Sequence, residues 1–132
     1  MGNLKPSDVK RADWIIPHLQ KIAEDSEQPN LTRDALEACL TKRAFLLISK
    51  TGFLIVKPKV RDGKTQLLLW VAWSPAGRPE YTEEDLNFLG RLFEVNELEF
   101  WTKRKGFARL GPRLGFEMVG IESGFNVWRK AL

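Results

Sequence analysis

Residues 65–73 read TQLLLWVAW. In an extended strand, Leu68 and Trp70 share one face while Leu69, Val71 and Trp73 share the other. A strand that is apolar on both faces has to be covered on both faces, which places it at the centre of a sheet with helices against it. The remaining chain is read around this strand.

Upstream, Ala44–Ser49 and Phe53–Lys57 are apolar runs joined by Lys50-Thr51-Gly52, which predicts a tight hairpin. Arg61-Asp62-Gly63-Lys64 is a stronger turn signal, because Asp-Gly suits a type I′ turn. The three runs form an antiparallel meander, with pairing expected to stop or bulge at Pro58. Before it, Ser7 or Asp8 caps a helix running to about Asp25, with a kink or break at Pro17. Thr32 caps a second helix, about Arg33 to Lys42, with Leu36, Cys39 and Leu40 inward. No convincing strand precedes the first helix.

Downstream, Ser74–Pro79 is a loop and Thr82 caps a helix with Glu83, Glu84 and Asp85 in its first turn. Its inward stripe is Leu86, Leu89, Leu92 and Phe93. Leu98–Thr102 is a strand, and the intervening helix lets it lie parallel to residues 65–73. Glu97 and Glu99 alternate with its apolar residues and are expected to be solvated. A last helix spans about Lys105 to Leu114, broken or closed near Gly111-Pro112. Met118–Glu122 and Phe125–Arg129 form a closing hairpin around Ser123-Gly124. The order is α α β β β α β α β β, an α+β fold with a mixed central sheet and helices on both faces.

Size and composition narrow the function classes. With 132 residues and 43% hydrophobic content, the chain is read as one domain, 1–132, with a core of its own. No apolar run is long enough to span a bilayer, and the N-terminus has no signal-peptide core. These features predict a cytoplasmic protein without membrane contact. The single cysteine, Cys39, reads as a buried inert thiol, and one histidine, His18, leaves no pair for a metal site. Charge is unevenly spread: residues 1–99 carry 14 basic and 15 acidic side chains, residues 100–132 carry 7 and 2. Lys103, Arg104, Lys105, Arg109 and Arg113 make the excess, either as a partner-binding surface or as a solvated helix face. Interleaving with Trp101 and Phe107 keeps nucleic acid open as a lesser option to a protein partner or acyl acceptor.

Arg113-Leu114-Gly115-Phe116-Glu117, followed by Met118-Val119-Gly120, is similar to the Lys-Leu-Gly-Phe helix end of the GNAT superfamily, the acyl-CoA-dependent N-acyltransferases. The terminal Asn126–Leu132 resembles that family's last strand, and the element order over residues 8–132 resembles its fold. The resemblance implies acetyl-CoA in a cleft where the strand at 65–73 and the strand at 98–102 part. It implies cofactor contacts from Trp73, Ser74, Gly77 and Arg78, with Trp73 and Trp101 lining or plugging the cleft. Small proteins of this kind occur in tailed bacteriophages, which adds the virion as an alternative location.

Two departures qualify the implied activity. The family's phosphate loop is rich in glycine, whereas Ser74–Thr82 has one glycine, two prolines and acids at the following helix start. A phosphate there would meet like charge. Many members carry a tyrosine acid where this chain has Gly111, and no general base is evident. The sequence therefore predicts a non-catalytic or atypical GNAT-like domain acting through its basic surface, with an active acetyl-CoA-dependent N-acetyltransferase of unknown acceptor as the alternative.

Overall fold

The computed structural model describes residues 4–50, 52–75, 81–103 and 105–132. The order is β1 (Lys5–Ser7), two 3-10 turns (Val9–Arg11 and Asp13–Ile15), α1 (Ile16–Asp25), α2 (Leu31–Leu40), β2 (Phe45–Ser49), β3 (Gly52–Arg61) and β4 (Lys64–Trp73). There follow α3 (Glu83–Phe93), β5 (Glu97–Thr102), α4 (Phe107–Arg113), β6 (Glu117–Glu122) and β7 (Phe125–Ala131). Seven strands form a sheet in the order β1-β2-β3-β4-β5-β7-β6. β4 and β5 are parallel, while the β1/β2, β2/β3, β5/β7 and β6/β7 pairs are antiparallel. The mixed α+β fold expected from the sequence is the one observed.

The described residues fall into two compact units. One draws on the described residues within 4–57 and 71–75, the other on those within 58–70 and 81–132. In the first unit, Ile15 and Leu19 of the α1 region, Ala35 of α2, and Leu47, Leu54 and Ile55 of the strands are fully buried. In the second, Leu67, Leu89 and Leu98 are fully buried, with Phe107, Phe116 and Trp128 nearly so.

Several boundaries differ from expectation, each for a local reason. β1 exists and pairs with β2, Lys5 opposite Ile48 and Ser7 opposite Leu46. Three mostly exposed residues carry no alternation to announce it, and Pro6, which lacks an N–H, suits an edge strand. Asp8 caps only the first 3-10 turn. Pro17 does not kink α1 but lies in its first turn, where a missing N–H costs nothing. α2 starts at Leu31 rather than after Thr32 and buries Leu31, Ala35 and Ala38. Leu40 is exposed, and Leu36 and Cys39 are half-buried. The chosen face is the one whose alanines admit a close neighbour. β3 runs through Pro58 to Arg61.

The turn signals at Asp62-Gly63 and Ser123-Gly124 hold, while Thr51 of the first hairpin turn lies outside the described residues. Asp62 and Gly63 have φ of 52° and 77°, the double left-handed conformation of a type I′ turn, and Ser123-Gly124 repeats it at 50° and 82°. Ser49 faces Gly52 across the first hairpin. A Cβ on Gly52 would overlap the Trp73 carbonyl, so only glycine fits there. α3 has a full capping box: Thr82 Oγ1 accepts from the Asp85 N–H at 3.1 Å, and the Asp85 carboxylate accepts from the Thr82 N–H at 3.0 Å. Leu86 and Leu89 are buried as expected, but Leu92 is exposed. Gly90 takes the buried place instead, because the Leu132 side chain packs directly on it.

Candidate functional site

The parallel ladder between β4 and β5 has three pairs, from Leu67↔Leu98 to Leu69↔Phe100. β5 continues along β7 to Thr102↔Asn126, and β4 continues to Trp73. On β5 the two acids are not solvated. Glu99 is fully buried. Its Oε1 accepts from Lys59 Nζ at 2.5 Å and from Trp101 Nε1 at 2.6 Å, and its Oε2 accepts from Arg129 Nε at 2.8 Å. Burial pushes this carboxyl up, but the hydrogen bonds from Lys59, Arg129 and Trp101 outweigh it and hold the carboxyl below its ordinary range. Glu97, half-buried, accepts from Arg61 at 3.2 Å and from Gln66 Nε2. Alternation alone suggested a wet acidic face. Cations on β3 and β7 turn it into a buried ionic network, a signal visible only once the strand neighbours are known.

The α4 position where many family members carry a tyrosine, Gly111 here, is taken up by packing. Phe107 lies 4.7 Å from Phe100, 5.3 Å from Trp128 and 5.9 Å from Phe116, ring centre to ring centre. A Cβ on Gly111 would come within 2.9 Å of Phe107 and 3.1 Å of Trp128, so the rings already fill the space a side chain would need. Leu114-Gly115-Phe116 ends the helix as the sequence implies. Gly115 has φ of 89°, its N–H donates to the Pro112 carbonyl, and the Phe116 N–H donates to the Gly111 carbonyl at 2.8 Å. That pair of bonds is a Schellman cap. The helix itself starts at Phe107 rather than Lys105.

The residues described at the start of α3 do not fit a pyrophosphate. The capping box already occupies the Thr82 and Asp85 N–H groups, and Glu83, Glu84 and Asp85 add negative charge in the first turn. Tyr81 follows the same loop. Burial pushes its phenol up, and the Asp85 charge adds to the shift, which disfavours proton release. Gly77 and Arg78 lie outside the described residues. Ser74 is half-buried. Trp73 belongs to an aromatic cluster: His18 stacks on it at 3.7 Å, Phe53 lies nearly parallel at 6.0 Å, and Trp14 meets it edge-on at 6.4 Å. Nothing local links His18 to Trp73, which are 55 positions apart in the chain.

Of the basic surface, Lys103, Lys105, Arg109 and Arg113 are exposed, and Arg104 lies outside the described residues. Lys103 Nζ sits 4.7 Å from the centre of the Phe125 ring. Phe107 is buried and does not interleave with these charges. Burial pushes the half-buried Cys39 thiol up to about 11, which suits an unreactive side chain. Among the described residues, no group of three His, Cys, Asp or Glu is placed to hold a metal ion, and no helix is long and apolar enough to cross a membrane.

No protein-family model matches this chain, and no curated protein does. Solved structures do. A GNAT-family acetyltransferase from Listeria monocytogenes superposes with a TM-score of 0.65 at 13% identity, over 98% of this chain and 94% of that one. The PaiA N-acetyltransferase of Thermoplasma acidophilum, solved with coenzyme A, gives 0.63 at 11% identity over 98% and 99%. A GNAT-family acetyltransferase from Elizabethkingia anophelis, solved with acetyl-CoA bound, gives 0.66 at 14% identity over 98% and 97%. Nearly complete mutual coverage, with the element order and the glycine-ended α4 already described, makes the fold of this chain that of the GNAT acetyltransferases.

Proposed function

We propose that this GNAT-fold chain does not carry out acid–base acyl transfer and instead acts through the basic surface of Lys103, Arg104, Lys105, Arg109 and Arg113 on a protein partner. The observation that carries this reading is Glu99. A general base must accept a proton from an amine within hydrogen-bond reach. Glu99 has both oxygens engaged by three donors and a carboxyl held in its ionised form, a weak proton acceptor. The aromatic rings around Gly111 and the acidic first turn of α3 support the same reading.

Calorimetric titration with acetyl-CoA and with coenzyme A tests it. The expected result is no binding heat even at millimolar cofactor. Micromolar binding that disappears when Gly77 and Arg78 are substituted sinks the reading.

The alternative, an acetyl-CoA-dependent N-acetyltransferase of unknown acceptor, draws its support from the short β4/β5 ladder and from neighbours solved with coenzyme A or acetyl-CoA. Acetyl transfer to a panel of primary amines, followed by release of free thiol, separates the two.

A further inference from the structure

The segment from Lys105 to Glu122 sorts its side chains by chemistry. α4 turns Phe107 and Gly111 onto the ring of Trp128, and Phe107 also onto that of Phe100. In the β6/β7 ladder Met118 is opposite Trp128, and Ile121 is opposite Asn126. Residues directly opposite in an antiparallel pair project from the same side of a sheet, and residues two apart on a strand share a side. Met118 and Ile121 therefore lie on the side of the sheet that α4 packs against. They are nonetheless 47% and 67% exposed, on the strand that ends the sheet.

Arg109 and Arg113 follow the buried Phe107 and Gly111 by two positions each, about 200° round the helix, and are exposed. The acids of β6 lie elsewhere: Glu117 is opposite Arg129 and Glu122 opposite Phe125, on the other side of the sheet. One side of this segment thus presents cations and two uncovered apolar side chains, and the other presents the acids.

We infer that this side of the α4–β6 segment docks an acidic segment of a partner protein, whose apolar residues cover Met118 and Ile121 and whose carboxylates meet Arg109 and Arg113. The inference rests on the basic-surface reading above and adds its apolar half and the partner's chemistry. Positive charge selects an acidic partner. The apolar pair selects a peptide over a nucleic acid, because a phosphate backbone has nothing to place on Met118 or Ile121. A single strand would need exposed aromatic rings to stack on. Phe107, Phe116 and Trp128 on this side are buried, and the half-buried Phe100 is stacked on Phe107.

Fluorescence anisotropy on the full chain tests the inference with three labelled probes: a peptide alternating Glu and Leu, its Glu–Gly counterpart, and oligothymidylate. The Glu–Leu peptide is expected to bind about tenfold or more tighter than the Glu–Gly peptide. Met118→Ser with Ile121→Ser should erase that difference, and Arg109→Glu with Arg113→Glu should abolish binding. All four positions are exposed, and far-UV circular dichroism confirms that the variants fold. Tighter binding of oligothymidylate than of the Glu–Leu peptide overturns the inference. If the serine variant binds the Glu–Leu peptide unchanged while the charge-reversed variant does not, the docking inference falls and the basic-surface reading stands. If neither variant matters, or no probe binds, both fall.

Discussion

Glu99 is the residue whose environment departs furthest from its sequence context. A buried carboxylate costs several kcal/mol of lost hydration, and only good geometry offsets it. Here Lys59, Arg129 and Trp101 supply that geometry. Removing the carboxylate leaves two cations facing each other beside an unpaired indole N–H. Glu99→Ala should therefore lower the unfolding free energy by about 3–5 kcal/mol in urea titrations, well beyond an ordinary surface change. The same residue sets a pH dependence. Its carboxyl is held lower in the folded chain than in the unfolded one, so the unfolded state takes up the proton first as pH falls. Its contribution is present in full above the unfolded value, about 4.3, and drains away as pH falls through the folded one. Urea midpoints measured across acidic pH should fall along that window for the native chain. Glu99→Gln should flatten this part of the profile.

At the scale of elements, α4 shows how one glycine can be read two ways. As a letter, Gly111 marks a missing tyrosine. In the fold, it is the seat of two aromatic rings. Gly111→Ala should gain helix propensity yet lose about 1–3 kcal/mol through overpacking, with a lowered Tm in calorimetry. Elements defined by local chemistry were legible in the sequence: the Asp62-Gly63 turn, the Thr82 cap, and the glycine that closes α4. Each depends on backbone conformation and on neighbours a few residues away. What was not legible depends on distant partners. β1 is a strand only because β2 lies beside it. α2 offers two helical stripes, Leu36-Cys39-Leu40 and Leu31-Ala35-Ala38, and tertiary packing selects the one with alanines. Glu99 looked solvated because Lys59 and Arg129 are 40 and 30 residues away in sequence.

At the scale of the molecule, charge and fold are separable. The excess of basic residues sits in the last third, and the exposed side chains of Arg109 and Arg113 in α4 make no hydrogen bond or ion pair with other described residues. Reversing Arg109 and Arg113 to Glu removes four units of charge from residues 100–132. The variant should elute distinctly earlier from a cation-exchange column while its stability stays within about 0.5 kcal/mol of the parent. A Tm that falls by many degrees would show that these side chains hold the fold together.

The ionic network also constrains the order in which the chain assembles. Glu99 receives one partner from β3, which precedes it in the chain, and another from β7, which follows it. Until β7 is in place, the carboxylate has no arginine, and any intermediate that dried out around it would carry a buried charge half satisfied. Desolvation of this part of the sheet therefore waits for β7. Pairing of β7 with β5 is thus the contact that lets the sheet dry out around Glu99.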